Sequence, residues 1–274
     1  MAEIKTTLNM DRNCYTLITG ASSGIGLAIA REMASRGHNI ILHSLPDQNL
    51  SRLTKELEDD YHVKTLYYEV DLTIENGPRL LYEFVKQSKV EVDIFVNNAG
   101  VGFDGPIESY SIDEIDAMIL LNVRALTHLT YYLTPELKRH PESYILFMSS
   151  FGYYVPTAYK SVYLASKSYI FYFARALRSE FTGTSLRTCV VVPSAVRTNK
   201  NVLDRIRRNG FFAKASAISP EEMASVAVKA MLRGRKVVLP GIFANLSLNF
   251  GFLIPEGIVF WMTRRIFGNF RKIS

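Results

Sequence analysis

The sequence predicts an α/β fold: a doubly wound parallel sheet with helices on both faces, built as a single domain. Three observations carry this expectation. Short, continuous apolar runs alternate with segments of helical periodicity along most of the chain, and continuous apolar strands belong to sheets covered on both sides. The first such run passes at once into a glycine-rich turn that opens a helix, Thr19-Gly20-Ala21-Ser22-Ser23-Gly24-Ile25-Gly26. The 274 residues, 48% hydrophobic and 21% charged, are enough for one large core, and no linker-like or low-complexity break divides them.

Element by element, Cys14–Thr19 reads as a strand, Gly24–Arg36 as a helix and Asn39–Ser44 as the second strand. Helical Gln48–Asp60 follows, then strand Val63–Val70, helix Ile74–Lys89 and a short buried strand at Asp93–Val96. Ile112–Arg139 is one long helical stretch that Pro141 ends, with a bend expected at Pro135. Strand Tyr144–Met148, helix Ser161–Phe181, strand Leu186–Val192, helix Pro220–Leu232 and strand Lys236–Leu239 complete the alternation. Residues 1–240 therefore form the domain, and 241–274 an apolar C-terminal extension.

Composition narrows the function. Cys14 and Cys189 each sit in an apolar run, which points to buried thiols in a reducing compartment, with no disulfide framework and no metal-ligand spacing. The net charge of +6 is modest and gathers at Arg205, Arg207 and Arg208, at Arg233, Arg235 and Lys236, and in the tail. No recognised nucleic-acid motif accompanies these clusters, so no nucleic-acid partner is expected. The polar start, Met1 to Asn13, lacks the apolar core of a signal peptide, and a cytoplasmic location is expected.

Chemistry is first suggested by spacing. Tyr163 and Lys167, four residues apart on a helix, share a face. Ser150, thirteen residues before Tyr163, lies at a strand end from which a loop lets it lean over them. An ammonium beside a phenol favours the phenolate, so such a tyrosine exchanges a proton near neutral pH. Tyr-x-x-x-Lys alone is weak evidence: Tyr82 and Lys86 repeat it, with Glu69 in the serine's place, and read as a solvated helix face.

Context strengthens the trio. The glycine turn sits at the strand-to-helix junction where a pyrophosphate is cradled: glycines allow close approach, and the helix N-terminus offers unpaired N–H groups. Asp71 ends the third strand and Asn97-Asn98-Ala99-Gly100 the fourth, both on the carboxyl edge of the sheet. Taken singly, Asp71 is an ordinary N-cap and Asn98 an ordinary turn residue.

With TGASSGIG at 19–26, Asp71-Leu72, NNAG at 97–100, Asn122, Ser150 and YLASK at 163–167, the sequence resembles the short-chain dehydrogenase/reductase family across about residues 12–240. The resemblance implies a Rossmann-type fold, a nicotinamide dinucleotide, and hydride transfer between it and a carbonyl or alcohol. Tyr163 would then be the acid in reduction and the base in oxidation. Lys167 would lower its pKa and hold the nicotinamide ribose, Ser150 would polarise the substrate oxygen, and Asn122 would keep a relay water near Lys167. The resemblance also gives cofactor contacts to Gly20, Ser22, Ser23, Gly24, Ile25, Gly26, Ser44, Asp71, Asn98, Ala99, Gly100, Tyr163, Lys167 and Thr198.

Two departures bear on specificity. After the sixth strand the family's Pro-Gly is replaced by Pro193-Ser194, so the loop leading to Thr198 is expected to differ in shape. At the end of the second strand, Ser44 stands where an acid would select NAD, with His43 before it and Leu45 after it. Ser44 and His43 are candidate phosphate contacts, although His43 reads equally as a satisfied edge residue. NADP is the expected cofactor, with NAD as the alternative.

Phe151, Tyr153, Tyr154, Val155, Pro156 and Tyr159 lie between Ser150 and Tyr163, which suggests a hydrophobic carbonyl substrate, acyl, lipid-like or steroid-like. The alternative is that Phe151 and Tyr154 pack under their own loop. The extension is broken by Pro240, Gly241, Asn245, Asn249, Gly251 and Pro255 and is not expected to span a membrane. Packing on the substrate side, or peripheral membrane contact with Arg264, Arg265, Arg271 and Lys272 at the surface, is expected instead. A homo-oligomer through the long helices is expected. The rival readings are an NAD-dependent alcohol dehydrogenase running the oxidation and a non-catalytic dinucleotide-binding regulator.

Overall fold

The computed structural model describes residues 14–153, 157–193, 196–197, 217–240 and 257. Among them seven strands form one sheet: β1 (Cys14–Thr19), β2 (Asn39–Ser44), β3 (Thr65–Glu69), β4 (Glu91–Asn97), β5 (Ser143–Met148), β6 (Leu186–Val191) and β7 (Val237–Val238). Their order is β3-β2-β1-β4-β5-β6-β7, and every pairing is parallel. The helices are α1 (Gly24–Ala34), α2 (Leu50–Tyr61), α3 (Gly77–Gln87), α4 (Ile112–Ile119), α5 (Leu126–Leu137), α6 (Ser161–Glu180) and α7 (Pro220–Leu232).

Successive strand residues point to opposite faces, and each face has its own core. Ile18, Ile40, Leu42, Ile94, Val96 and Leu146 meet Ile29 and Met33 of α1, Leu57 of α2, and Met223 and Val228 of α7. On the other face Leu17, Ile41, Phe95, Ile145 and Phe147 meet Leu81 of α3, Leu129 and Leu133 of α5, and Ile170 and Ala174 of α6. Burial on both sides is why these strands read as unbroken apolar runs. The edge strands differ: β3 is only half-buried, and β7 is two residues long. The chain winds outward in both directions from β1 and β4, and the crevice between their carboxyl ends is where such sheets hold ligands.

The bounds of β1, β2 and α7 coincide with those read from sequence. Two elements are shorter for a visible reason. The Gly77 N–H donates to the Ile74 carbonyl at 3.2 Å, and this turn occupies the place of the expected first helical residues of α3. The long helix expected over Ile112–Arg139 is interrupted by a π-helical segment, Leu120–Ala125, and Pro135 falls in the last turn of α5. The extension 241–274, apart from Gly257, and Thr198 lie outside the described residues.

Candidate active site

The phosphate-binding end is assembled by Thr19 and Asn98. The Thr19 hydroxyl accepts from the N–H groups of Asn98 and Ala99, both at 3.1 Å, which stitches the end of β1 to the end of β4. Asn98 Nδ2 donates to the carbonyls of Thr19 and Gly20, at 2.9 and 3.2 Å, and holds the turn in place. Gly20 and Gly24 sit at positive φ, +65° and +55°, where a side chain is strained. Gly26 is required by space: a methyl there would lie 2.1 Å from the Gly20 carbonyl oxygen. The first turn of α1 carries no acid, and Ser23 at its N-cap makes no side-chain cap bond. The residues fit a pyrophosphate, because the helix leaves its N–H groups and positive end to a ligand.

Around Tyr163 the side chains converge. Lys167 is buried, its Nζ donates to the Met148 carbonyl at 3.0 Å, and it stands 5.8 Å from the centre of the Tyr163 ring. Burial lowers its ammonium to about 8, which leaves the cation in the majority at neutral pH. Asn122, on the π segment and fully buried, grips Val101 by both backbone groups: Oδ1 accepts from its N–H at 2.9 Å, and Nδ2 donates to its carbonyl at 2.8 Å. Nδ2 also donates to Ser166 Oγ at 3.0 Å, and Ser166 in turn donates to the Tyr163 carbonyl at 2.7 Å. A methyl on Gly100 would lie 3.1 Å from both Asn122 Oδ1 and Lys167 Nζ, so the two groups border one small space. Gly102 lies flat against the phenol: a methyl there would approach the Tyr163 ring to 2.5 Å.

The two serines after β5 have different places. Ser149 is buried and its hydroxyl donates to the Lys167 carbonyl at 2.8 Å, fastening α6 to the strand end. Ser150, next in the chain, is half-buried at the carboxyl edge, two residues beyond the carbonyl that receives Lys167. Thr19 and Ser166 lie within the quoted motifs but were given no role from the sequence, and Val101 and Gly102 were not singled out. Ser166 had a signal, since a serine three residues after the tyrosine on one helix can bond back to its carbonyl.

Other expectations meet a different environment. His43 is buried, its Nε2 donates to the Val70 carbonyl at 3.0 Å, and burial lowers its imidazole to about 4. It is neutral near pH 7 and its Nε2 is committed to Val70, so the candidate phosphate contact is corrected to a buried strand residue, whose Nδ1 has no partner among the described residues. Ser44 is also buried and donates to the Leu45 carbonyl at 2.8 Å, and Leu45 is exposed. Phe151 packs on the core, as the alternative expected, and so does Tyr153, stacking on Phe171 at 3.7 Å; Tyr154 lies outside the described residues. Tyr82 is half-buried, stacks on Tyr132 and packs against the core, so of the expected solvated pair only Lys86 is exposed.

A model of the short chain dehydrogenase family matches residues 15–209, more than half of the chain. The chain belongs to that family. The NADP-dependent 3-hydroxy acid dehydrogenase of Schizosaccharomyces pombe is 30% identical over 230 residues, 81% of this chain and 88% of that protein. The very-long-chain 3-oxoacyl-CoA reductase of Anas platyrhynchos is 28% identical over 208 residues, 73% of this chain but 65% of the relative. Among solved structures, a short-chain dehydrogenase from Sphingobium yanoikuyae in complex with NADPH superposes with a TM-score of 0.75 at 25% identity, over 89% of this chain and 94% of that one. Family membership makes the chain an oxidoreductase, with Tyr163 and Lys167 on the helix that follows β5 and the glycine turn after β1.

Proposed function

We propose that the protein reduces a hydrophobic ketone or aldehyde with NADPH, and that Tyr163 donates the proton. The observation that carries this reading is the convergence of Tyr163, the buried Lys167 cation and Asn122 on the carboxyl edge that also carries the glycine turn. Gly20, Ser22, Ser23, Gly24, Ile25 and Gly26 would hold the pyrophosphate, and Asp71, Ala99 and Gly100 line the same edge. The cofactor supplies a hydride to the carbonyl carbon. Tyr163 gives its phenolic proton to the carbonyl oxygen as negative charge develops there, and Ser150 hydrogen-bonds the same oxygen. The Lys167 ammonium stabilises the phenolate left behind. Asn122 fixes the Val101–Gly102 backbone against the phenol ring, so the proton donor is held rather than searching.

Support for NADPH comes from β2, which ends in Ser44 and presents no carboxylate to repel a 2′-phosphate, and from the NADP-dependent relative and the NADPH-bound neighbour. Support for an apolar substrate is the acyl-CoA relative together with Val101 and Phe103, half-buried on the loop that faces Tyr163. Association through α5 and α6 is part of the same reading, since Tyr131 and Tyr172 are exposed on those helices. Among the described residues no helix is long and apolar enough to cross a membrane. Peripheral membrane contact of the tail therefore rests on its sequence.

The test is oxidation of NADPH and NADH across a carbonyl panel of short aldehydes, 3-oxoacyl thioesters and steroid ketones. Turnover by the native chain, reduced about 10²- to 10⁴-fold in Tyr163→Phe with NADPH binding retained, is the expected result. Equal behaviour of the two proteins would overturn the catalytic reading in favour of a dinucleotide-binding regulator.

A further inference from the structure

At the opposite, amino-terminal edge of the sheet, three side chains from separate elements meet. Cys14 begins β1, Glu91 begins β4 and is its register partner, and His140 follows α5. Cys14 Sγ lies 3.9 Å from His140 Nδ1 and 4.0 Å from Glu91 Oε2, and all three atoms fall within 4.8 Å of one another. The thiol is buried, the imidazole half-buried and the carboxylate exposed, so the trio opens to solvent on one side. This edge is remote from the catalytic crevice, which lies at the strands' carboxyl ends.

We propose that Cys14, Glu91 and His140 form a binding site for a borderline-soft divalent cation of the zinc class. Thiolate, imidazole and carboxylate are the three side-chain types that zinc takes, at about 2.3, 2.0 and 2.1 Å, which puts neighbouring donors about 3.3–3.7 Å apart. The observed separations need a contraction of only a few tenths of an ångström for the thiol pairs, and the exposed Glu91 side chain is free to swing for the remainder. A thiolate with an imidazole discriminates against magnesium and calcium, which take oxygen donors. The fourth position falls on the open side and is left to water. Binding releases the thiol proton to solvent as Cys14 becomes the thiolate ligand. Glu136 Oε1 accepts from the Val92 N–H at 3.4 Å, so a second carboxylate lies one residue along the strand from Glu91, offset in part by Arg139 next to His140. The sequence showed no metal spacing because the ligands stand 77 and 126 residues from Cys14. A bound ion would clamp β1, β4 and the turn after α5 together, which makes the site a structural clasp.

The experiment is titration of the untagged, metal-stripped full chain with Zn²⁺ against a chromophoric chelator, with Co²⁺ as the spectroscopic probe. The expected result is one tight equivalent per chain, a rise in melting temperature on zinc addition, and a thiolate-to-cobalt charge-transfer band. Cys14→Ser and His140→Ala should each weaken binding by at least about tenfold, and Cys14→Ser should abolish the charge-transfer band. Cys189→Ser and Tyr163→Phe should change neither, because the first is sealed in the core and the second is at the other edge. Binding unaltered in both Cys14→Ser and His140→Ala, or no stoichiometric zinc in the native chain, overturns the proposal. Carbonyl reduction is read separately, so failure here is distinguishable from failure of the catalytic reading.

Discussion

At the scale of single residues, space and charge decide more than residue type. Gly26 and Gly37 are both glycines near α1, yet only Gly26 is hemmed in, with Gly20 O and Asn98 Nδ2 at 2.1 and 2.7 Å from an added methyl. Gly26→Ala should lower stability by about 1–3 kcal/mol, as overpacking does, and weaken NADPH binding at least about tenfold because the cradle itself moves. Gly37→Ala, at positive φ but in open space, should lower stability by about 1–2 kcal/mol and leave NADPH binding alone. Thermal melts and fluorescence titration of both variants check the pair. Ser44 is the second residue-scale lever. Ser44→Asp would place an acid where β2 ends, accept a ribose 2′-hydroxyl and repel a 2′-phosphate. The preference for NADPH over NADH should fall about tenfold or more, measured as the ratio of the two dissociation constants. Unchanged affinity for NADPH would show that the adenosine end binds elsewhere.

At the scale of elements, the long central helix carries information that periodicity cannot show. Its apolar residues read as one helix, and α4 and α5 do continue one another, but Leu120–Ala125 winds as a π segment around Asn122. A π turn preserves an amphipathic pattern closely enough to be invisible in sequence, and such turns gather at functional positions. From the same segment Arg124 donates to the Thr73 and Ile74 carbonyls, so the segment braces the β3–α3 turn as well as the loop at Val101. Asn122→Leu removes the side chain that satisfies Val101. Stability should drop by about 1–3 kcal/mol for the stranded polar groups. Turnover should fall at least about tenfold while NADPH affinity changes by less than about threefold. Urea unfolding and separate kcat and Kd measurements test this, and a variant that loses NADPH affinity in proportion to turnover would argue for a merely structural asparagine. The contrast with β1 and β2 is instructive. Their bounds were legible because buried strands are apolar without interruption and stop at Gly20 and Leu45. The bond from Ser149 to the Lys167 carbonyl and the burial of His43 were not legible, since their partners, Lys167 and Val70, lie 18 and 27 residues away in the chain.

At the scale of the whole molecule, the proposed catalytic role of Lys167 and the stability of the fold pull against each other. Both faces of the sheet are sealed by apolar side chains, and the Lys167 ammonium is enclosed at the carboxyl edge with the Met148 carbonyl as its hydrogen-bond acceptor. Its proton is held to about 8 in the folded chain against 10.5 for an ordinary lysine. Between those two values the unfolded chain binds the proton and the folded chain has released it, so this residue makes stability rise with pH from about 8 to 10.5. Below pH 8 it destabilises the apo fold by on the order of 3 kcal/mol, and above 10.5 that contribution is gone. Lys167→Met should therefore stabilise the cofactor-free protein near pH 7, offset in part by the unsatisfied Met148 carbonyl. The gap between the variant and the native chain should close across that alkaline window. Urea unfolding of both proteins from pH 7 to pH 10.5, taken as a difference so that other titrating groups cancel, measures it. A gap independent of pH would mean that the ammonium is solvated in the folded state. The same substitution should abolish carbonyl reduction while raising the melting temperature, the joint signature of a fold that keeps a buried charge for its chemistry and not for its stability.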